Sequence, residues 1–137
     1  HYKALLLASS SSSSTLVIED DALINSCSQV EHILMSLKSS DNEPLFVNLV
    51  PAPHCTGNPK PNTQLYPTSI AKSYTTGAYV LSPAIAIKLV ENFFPYSMPI
   101  DFHLQYLFKL LSIKGLTSST LGINNGSQTS QMSSTIQ

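Results

Sequence analysis

The sequence predicts an α/β domain with a mostly parallel sheet flanked by helices, and three observations support this class. Residues 15–19 and 45–50 are short runs of apolar and β-branched residues, as in buried strands. Between them, residues 26–38 carry apolar side chains at the i, i+3, i+4, i+7 spacing of an amphipathic helix. A further strand pattern at 73–81 runs directly into another helical pattern. The order strand, helix, strand favours parallel strands joined by a right-handed crossover.

Length and composition indicate one domain and exclude some classes of partner. The chain has 137 residues, of which 11% are charged, and its formal net charge is −1. It therefore lacks the basic field that would hold nucleic acid or an anionic membrane surface. Its longest apolar runs are too short to span a bilayer, so we expect no transmembrane segment. The two cysteines, Cys27 and Cys55, leave the redox compartment undecided.

The first half of the chain is predicted to contain two connectors besides its regular elements. Residues 1–8 are expected to form the end of a helix, and the serine run 9–14 a flexible polar connector. Residues 51–67 contain five prolines and no sustained periodicity, which indicates a long loop that is either a functional lid or a mobile excursion. Within it, His54 and Cys55 are read as ordinary loop residues rather than as a metal site.

In the second half, a strand ending at Leu81 is expected to bend, or to admit a close neighbour, at Gly77. Ser82 is expected to cap the next helix with its side chain, with Pro83 at the first helical position and Pro95 ending that helix. A third helix is expected to begin at Asp101, which is placed to act as its N-cap. The domain is predicted to span 1–123, with a short strand-like piece near 121–123, and residues 124–137 to form a polar tail.

The most informative stretch is the strand at 15–19 where it runs into Glu19, Asp20 and Asp21. Three successive carboxylates repel one another unless a cation, basic groups or water offset them. They form either a metal site or a solvated strand end leading into a helix. Because alternate side chains of a strand share a face, Glu19 and Asp21 can point together, unless the strand has already ended. Their oxygens suit Mg²⁺ or Mn²⁺.

Several stretches, in this order, resemble glycosyltransferase family 25, the group that includes lipooligosaccharide and collagen galactosyltransferase-like proteins. The sequence HYKAL at 1–5 is similar to the family segment ahead of the acidic strand, and LVIEDDA at 16–22 resembles its hydrophobic-Glu-Asp-Asp motif. The sequence TGAYVLS at 76–82 resembles its glycine-alanine-tyrosine strand, and PID at 99–101 its proline-hydrophobic-aspartate element. The polar segment from residue 126 onward is also similar to the end of the family domain.

The resemblance implies a partial nucleotide-sugar transferase domain with a GT-A-like fold. The family domain is longer at its N-terminus, so we expect the first strand and the turn that binds the nucleotide to be missing here. The serine run also departs from the family pattern. The implied activity is metal-dependent transfer of a sugar, with galactose expected, from a UDP-sugar to a glycan or protein hydroxyl with inversion. The alternative is a catalytically incomplete fragment or sugar-binding remnant. The compartment would be the cytoplasmic membrane face in bacteria, with a role in lipopolysaccharide biosynthesis, or the secretory lumen in eukaryotes.

The resemblance also suggests roles for individual residues. Asp21 is the first candidate for a ligand of Mn²⁺ or Mg²⁺, and Glu19 is expected to assist through the ion or the ribose, with Asp20 next. Asp101 is the candidate general base, and its alternative role is a plain helix cap. His103 is a further candidate ligand for the metal or diphosphate, against the alternative of a half-exposed helix histidine. The same resemblance implies that Gly77 and Tyr79 help to shape the substrate pocket. The alternative for Tyr79 is an aromatic side chain of the strand that packs in the core.

Overall fold

The computed structural model describes residues 1–38, 44–50, 65–68, 76–118 and 122–125. Within them, no helix is both long enough and apolar enough to cross a bilayer. The helices are α1 (Tyr2–Ser9), α2 (Cys27–Lys38), α3 (Pro83–Glu91) and α4 (Ile100–Leu110). The strands are β1 (Thr15–Ile18), β2 (Ala22–Ile24), β3 (Phe46–Asn48), β4 (Leu65–Thr68), β5 (Ala78–Leu81), β6 (Gly115–Ser118) and β7 (Ile123–Asn125).

The α/β class is confirmed, but the main sheet is mixed rather than mostly parallel. Its five strands lie in the order β1-β5-β3-β6-β4. Only β3 and β6 pair in parallel, and the other three neighbouring pairs are antiparallel. The crossover through α2 does leave β1 and β3 pointing the same way, as the order strand, helix, strand predicts. However, β5 lies between them in the opposite direction, so the two predicted neighbours do not touch.

A second, two-stranded sheet pairs β2 with β7, with Ile24 opposite Ile123. Residues 22–24 were not predicted to be a strand, because three residues are too few for a periodic pattern to emerge. The strand β7 extends to Asn125, two residues into the predicted tail. The rest of that tail, 126–137, lies outside the described residues.

Helices cover the main sheet on both faces, and β5 shows how its side chains are shared between them. Ala78 and Val80 join the apolar cluster that contains the α2 side chains. Tyr79 and Leu81 join the other cluster, which contains buried residues of α1, α3 and α4. Because successive side chains of a strand point to opposite faces, a strand covered on both faces must be apolar throughout. All four residues of β5 are buried accordingly.

The helix α3 begins at Pro83 as predicted, but Ser82 does not cap it through its side chain. The Ser82 hydroxyl oxygen instead accepts a hydrogen bond of 3.0 Å from the backbone N–H of Leu45. The backbone N–H of Ser82 donates in turn to the Leu45 carbonyl at 2.9 Å. The serine therefore joins the end of β5 to the residue that precedes β3. The helix ends at Glu91, four residues before Pro95.

The long proline-rich segment lies mostly outside the described residues, including His54 and Cys55. Its last three predicted positions, 65–67, belong to β4 rather than to a loop. The strand β4 is at the edge of the sheet and pairs only with β6. An edge position tolerates a proline such as Pro67, because one side of the strand needs no donor.

Candidate functional site

The acidic triplet lies in a tight turn between the main sheet and the small sheet. The strand β1 ends at Ile18, and the Ala22 N–H donates to the Glu19 carbonyl at 3.2 Å. The side chain of Glu19 is 23% exposed. Asp20 and Asp21 are exposed. Because the strand ends before the triplet, strand alternation does not place Glu19 and Asp21 on a common face.

A single threonine hydroxyl connects the carboxylates of Glu19 and Asp101. The Oγ1 atom of Thr76 lies 2.6 Å from Oε1 of Glu19 and 2.7 Å from Oδ1 of Asp101. The separation of the two carboxylate oxygens therefore cannot exceed the sum of these distances. A threonine hydroxyl has one hydrogen to donate, so it can satisfy only one of the two acceptors at a time. Two acidic groups thus share one donor at the end of β1.

His1 and Tyr79 extend this cluster on the side of Glu19. The Nε2 atom of His1 lies 2.8 Å from Oε1 of Glu19, and its Nδ1 atom lies 3.3 Å from the Tyr79 hydroxyl. The imidazole and phenol rings are stacked, with centroids 6.2 Å apart. The cluster of Glu19, Thr76, Asp101, His1 and Tyr79 is called the acidic cluster below.

Burial raises the pKa of the Tyr79 hydroxyl above its usual value, and the nearby carboxylate of Glu19 raises it further. Tyr79 therefore remains protonated at neutral pH and can donate to Nδ1 of a neutral His1. In that tautomer the proton of His1 is on Nε2, which donates to Glu19. A directed series of hydrogen bonds then runs from Tyr79 through His1 to Glu19.

The raised pKa of Tyr79 predicts a loss of stability in alkaline solution. Because the folded state holds this proton more tightly than the unfolded chain, the stabilising contribution is complete below the unfolded value of 10.0 and is lost as pH rises above it. We expect the free energy of unfolding, measured with urea, to fall above that pH by as much as about 1.4 kcal/mol per pH unit from this group. The Tyr79→Phe variant should show a shallower decline, and an unchanged slope would contradict the assignment to Tyr79.

Asp101 is not the N-cap that the sequence allowed as its alternative role. The helix α4 begins at Ile100, its N-cap is Pro99, and no side chain caps it. The first-turn N–H of His103 donates to the Pro99 carbonyl at 2.9 Å. Asp101 lies in the first helical turn, where the positive end of the helix dipole favours a negative charge. Its carboxylate lies within hydrogen-bonding distance of the Thr76 hydroxyl, which it shares with Glu19, and does not cap the helix.

His103 does not lie in the acidic cluster, which corrects its prediction as a metal ligand. Its Nε2 atom lies 2.7 Å from the Phe93 carbonyl. Its ring packs edge-on against Phe93 and Tyr96. It is 2% exposed, so the alternative of a half-exposed histidine is also wrong. Phe93 and Tyr96, which lie between α3 and α4, pack around the imidazole ring. The apolar spacing of α4 gave no indication that these residues would bury His103.

Gly77 contributes to the acidic cluster through its backbone. Its carbonyl accepts a 2.8 Å hydrogen bond from the N–H of Glu19, which fixes the turn at the end of β1. A Cβ atom at this position would lie 3.4 Å from Cγ2 of Val50, an ordinary contact. Of the two alternatives predicted for Gly77, a close neighbour is not what the structure shows; the chain instead bends at Gly77, directly before β5 begins at Ala78.

The acidic cluster offers two carboxylates to a divalent cation. Among the described residues, no three His, Cys, Asp or Glu side chains are grouped closely enough to hold a metal by themselves. Mg²⁺ is commonly held by one or two carboxylates together with substrate phosphates and water. The pair of Glu19 and Asp101 fits that pattern, and the exposed turn adds Asp20 and Asp21 next to it.

Two members of the acidic cluster, Thr76 and His1, were not predicted as site residues. His1 lies in the stretch 1–5 and Thr76 in the stretch 76–82, both of which carry the family resemblance. Their location in these stretches was the only feature of the sequence that could have identified them. A threonine or a histidine at the end of an element gives no periodic signal. Its role depends on which distant residue the fold brings within hydrogen-bonding distance.

Comparison with family models, with curated proteins and with solved structures finds no match to this chain. The resemblance therefore rests on the sequence stretches themselves. Each of four stretches contributes to the acidic cluster, at 1–5, 16–22, 76–82 and 99–101. These stretches are far apart in the chain, and the fold brings one or two residues of each into mutual contact.

Proposed function

We propose that the chain is part of a glycosyltransferase that moves a sugar from a UDP-sugar to a hydroxyl of a glycan or protein acceptor, with inversion and with a divalent cation. Galactose is the first candidate for the sugar. The observation that carries the proposal is the contact of Glu19 and Asp101 through Thr76. The carboxylates come from two separate stretches that resemble family 25.

Sugar transfer requires the protein to stabilise the negative charge of the leaving diphosphate and to accept the proton of the acceptor hydroxyl. As the acceptor oxygen bonds to the anomeric carbon, the bond from that carbon to the diphosphate breaks and its electron pair leaves with UDP. Mn²⁺ or Mg²⁺, when bound, would neutralise the leaving diphosphate. Glu19 is the carboxylate that we assign to holding the cation, with Asp21 and Asp20 on the same turn. Asp101 would accept the proton of the acceptor hydroxyl.

The remaining members of the acidic cluster would hold these carboxylates in place. Thr76 contacts one oxygen of each acid, so its position sets their separation. His1 fixes the same oxygen of Glu19 from another direction. Side chains whose positions are fixed by neighbouring hydrogen bonds lose less freedom when a substrate binds. Thr76 and His1 are therefore positioning residues in this proposal.

The alternative is a catalytically incomplete remnant that binds a sugar or nucleotide without transferring it. The contact of Glu19 and Asp101 through Thr76 would serve this alternative equally well, because a cation held at the acidic cluster can bind a diphosphate whether or not transfer follows. Binding and turnover distinguish the two functions, because a remnant would bind a donor without releasing UDP from it.

The test is calorimetric titration of UDP into the folded protein with Mn²⁺, and again with a chelator in place of the metal. We expect heat of binding only when Mn²⁺ is present. Incubation with UDP-galactose should then release UDP slowly by transfer to water, and faster when an acceptor glycan is added. Folded protein that gives no heat with Mn²⁺ and UDP would contradict a donor site, and binding without any release of UDP would favour the remnant.

A further inference from the structure

A cavity of about 360 Å³ lies between the end of α3 and α4, and no member of the acidic cluster lines it. This volume is within the size range of sites for small molecules. The rings of Phe94 and Tyr106 belong to the lining and are 66% and 52% exposed, so about half or more of each side chain is uncovered. Exposed aromatic rings around a concave surface commonly mark a binding site.

The charge of this lining is acidic. Among the described residues, the lining contains one carboxylate, that of Glu91, and no lysine or arginine. Lys88 lies three residues earlier on α3, but it is outside the lining and forms no salt bridge with Glu91. The carboxylate of Glu91 has no other hydrogen-bond or ion-pair partner in the part of the chain that the structure describes. The cavity therefore has a negative charge that no neighbouring base neutralises.

The neutral groups of the lining also favour positive charge. The Nδ2 atom of Asn92 donates to the Lys88 carbonyl at 2.9 Å, which leaves its amide oxygen to accept from a ligand. The hydroxyls of Ser97 and Tyr106 can accept as well as donate. The faces of the aromatic rings carry the negative side of their quadrupole. A cation can therefore interact favourably with both the apolar and the polar parts of this surface.

We infer that this cavity binds an aliphatic ammonium group. Such a cation is attracted to the faces of aromatic rings, here those of Phe94 and Tyr106, and the carboxylate of Glu91 adds the attraction of opposite charge. A neutral ligand would gain only the contact with the rings, and an anion would be repelled by Glu91. The same chemistry is offered by a free amine such as choline and by a lysine side chain of a partner protein. The inference does not depend on the proposed transferase activity.

The test is saturation-transfer NMR on the full chain with choline and with acetyl-lysine methylamide. Each is compared with a neutral analogue in which a carbon atom replaces the charged nitrogen. We expect at least one of the cations to bind roughly fivefold or more tightly than its neutral analogue. Binding of choline alone identifies a free quaternary amine as the ligand, and binding of the lysine derivative alone identifies a lysine side chain. Binding of neither cation, or equally tight binding of the neutral analogues, would overturn the inference.

Substitutions in the lining locate the bound cation. Glu91→Gln and Tyr106→Ala should each weaken its binding by roughly threefold or more, because the first removes the charge and the second an aromatic face. The matched controls are Glu31→Gln on the exposed surface of α2 and Phe102→Ala on α4, where Phe102 is 51% exposed and outside the lining. An equal loss in a variant and its control would place the cation elsewhere and overturn the inference.

The same variants keep this site distinct from the proposed donor site. Glu91→Gln should leave Mn²⁺-dependent binding of UDP unchanged, and Glu19→Gln should leave binding of the ammonium ligand unchanged. Failure of one proposal is thereby distinguished from failure of the other.

Discussion

The Glu19→Gln variant should bind UDP in the presence of Mn²⁺ roughly tenfold to hundredfold more weakly than the unmodified chain. The Asp101→Asn variant should bind UDP with unchanged affinity, but it should transfer galactose to an acceptor roughly a hundredfold more slowly, as measured by the UDP released, because it lacks the proposed base. Each substitution keeps the size of the side chain and removes one negative charge from the pair that contacts Thr76. An amide oxygen is a poorer ligand than a carboxylate for a hard cation. The measurement is titration calorimetry at fixed Mn²⁺, with circular dichroism to confirm that each variant is folded.

The matched control is Glu31→Gln, which removes one carboxylate from the exposed surface of α2. It should leave the affinity for UDP unchanged, because a distant exposed charge is screened by salt. Equal losses in all three variants would show that net charge, rather than the acidic cluster, governs the binding. The double variant of Glu19 and Asp101 should bind UDP about as weakly as Glu19→Gln alone, since Asp101 is assigned to the proton of the acceptor and not to the cation.

The sequence predicted the elements that are long or strongly periodic. The helices α2 and α4 follow the apolar spacing of their sequences, and β5 was recognisable as a buried strand that leads into a helix at Pro83. What could not be predicted was the order of the strands. A strand–helix–strand unit specifies the relative direction of its two strands. The position of β5 between β1 and β3 depends instead on contacts between residues that are far apart in the sequence.

The same reasoning explains which parts of the candidate site were predicted. Glu19, Tyr79 and Asp101 were selected from the sequence and lie together in the structure. The sequence left open whether the strand ends before Glu19 and Asp21, and the structure shows that it does, because β1 ends at Ile18 and a turn begins there. The misplacement of His103 has a separate cause. Periodicity shows which residues share a helix face, but not whether that face meets an acidic turn or an aromatic pocket.

The largest effect on stability is expected from Leu5→Ala. Leu5 is fully buried in α1, within the apolar cluster that also contains Leu89 of α3. Removing a buried leucine side chain leaves a cavity that the surrounding residues fill only in part, at a cost of about 2–5 kcal/mol in the free energy of unfolding. Urea denaturation followed by circular dichroism measures this loss directly. The control is Leu7→Ala, the same substitution on the same helix at a residue that is 74% exposed, where we expect a change below about 0.5 kcal/mol.

The same substitution should also disturb the acidic cluster, because α1 begins directly after His1 and its packing holds that residue beside Glu19. If α1 loosens locally, the amide protons of α1 should exchange faster with solvent while those of β5 remain protected. The imidazole resonances of His1 should move towards those of an unstructured histidine. Faster exchange of α1 with unchanged His1 resonances would contradict this coupling, because it would show that the contact of His1 with Glu19 does not require the packing of Leu5.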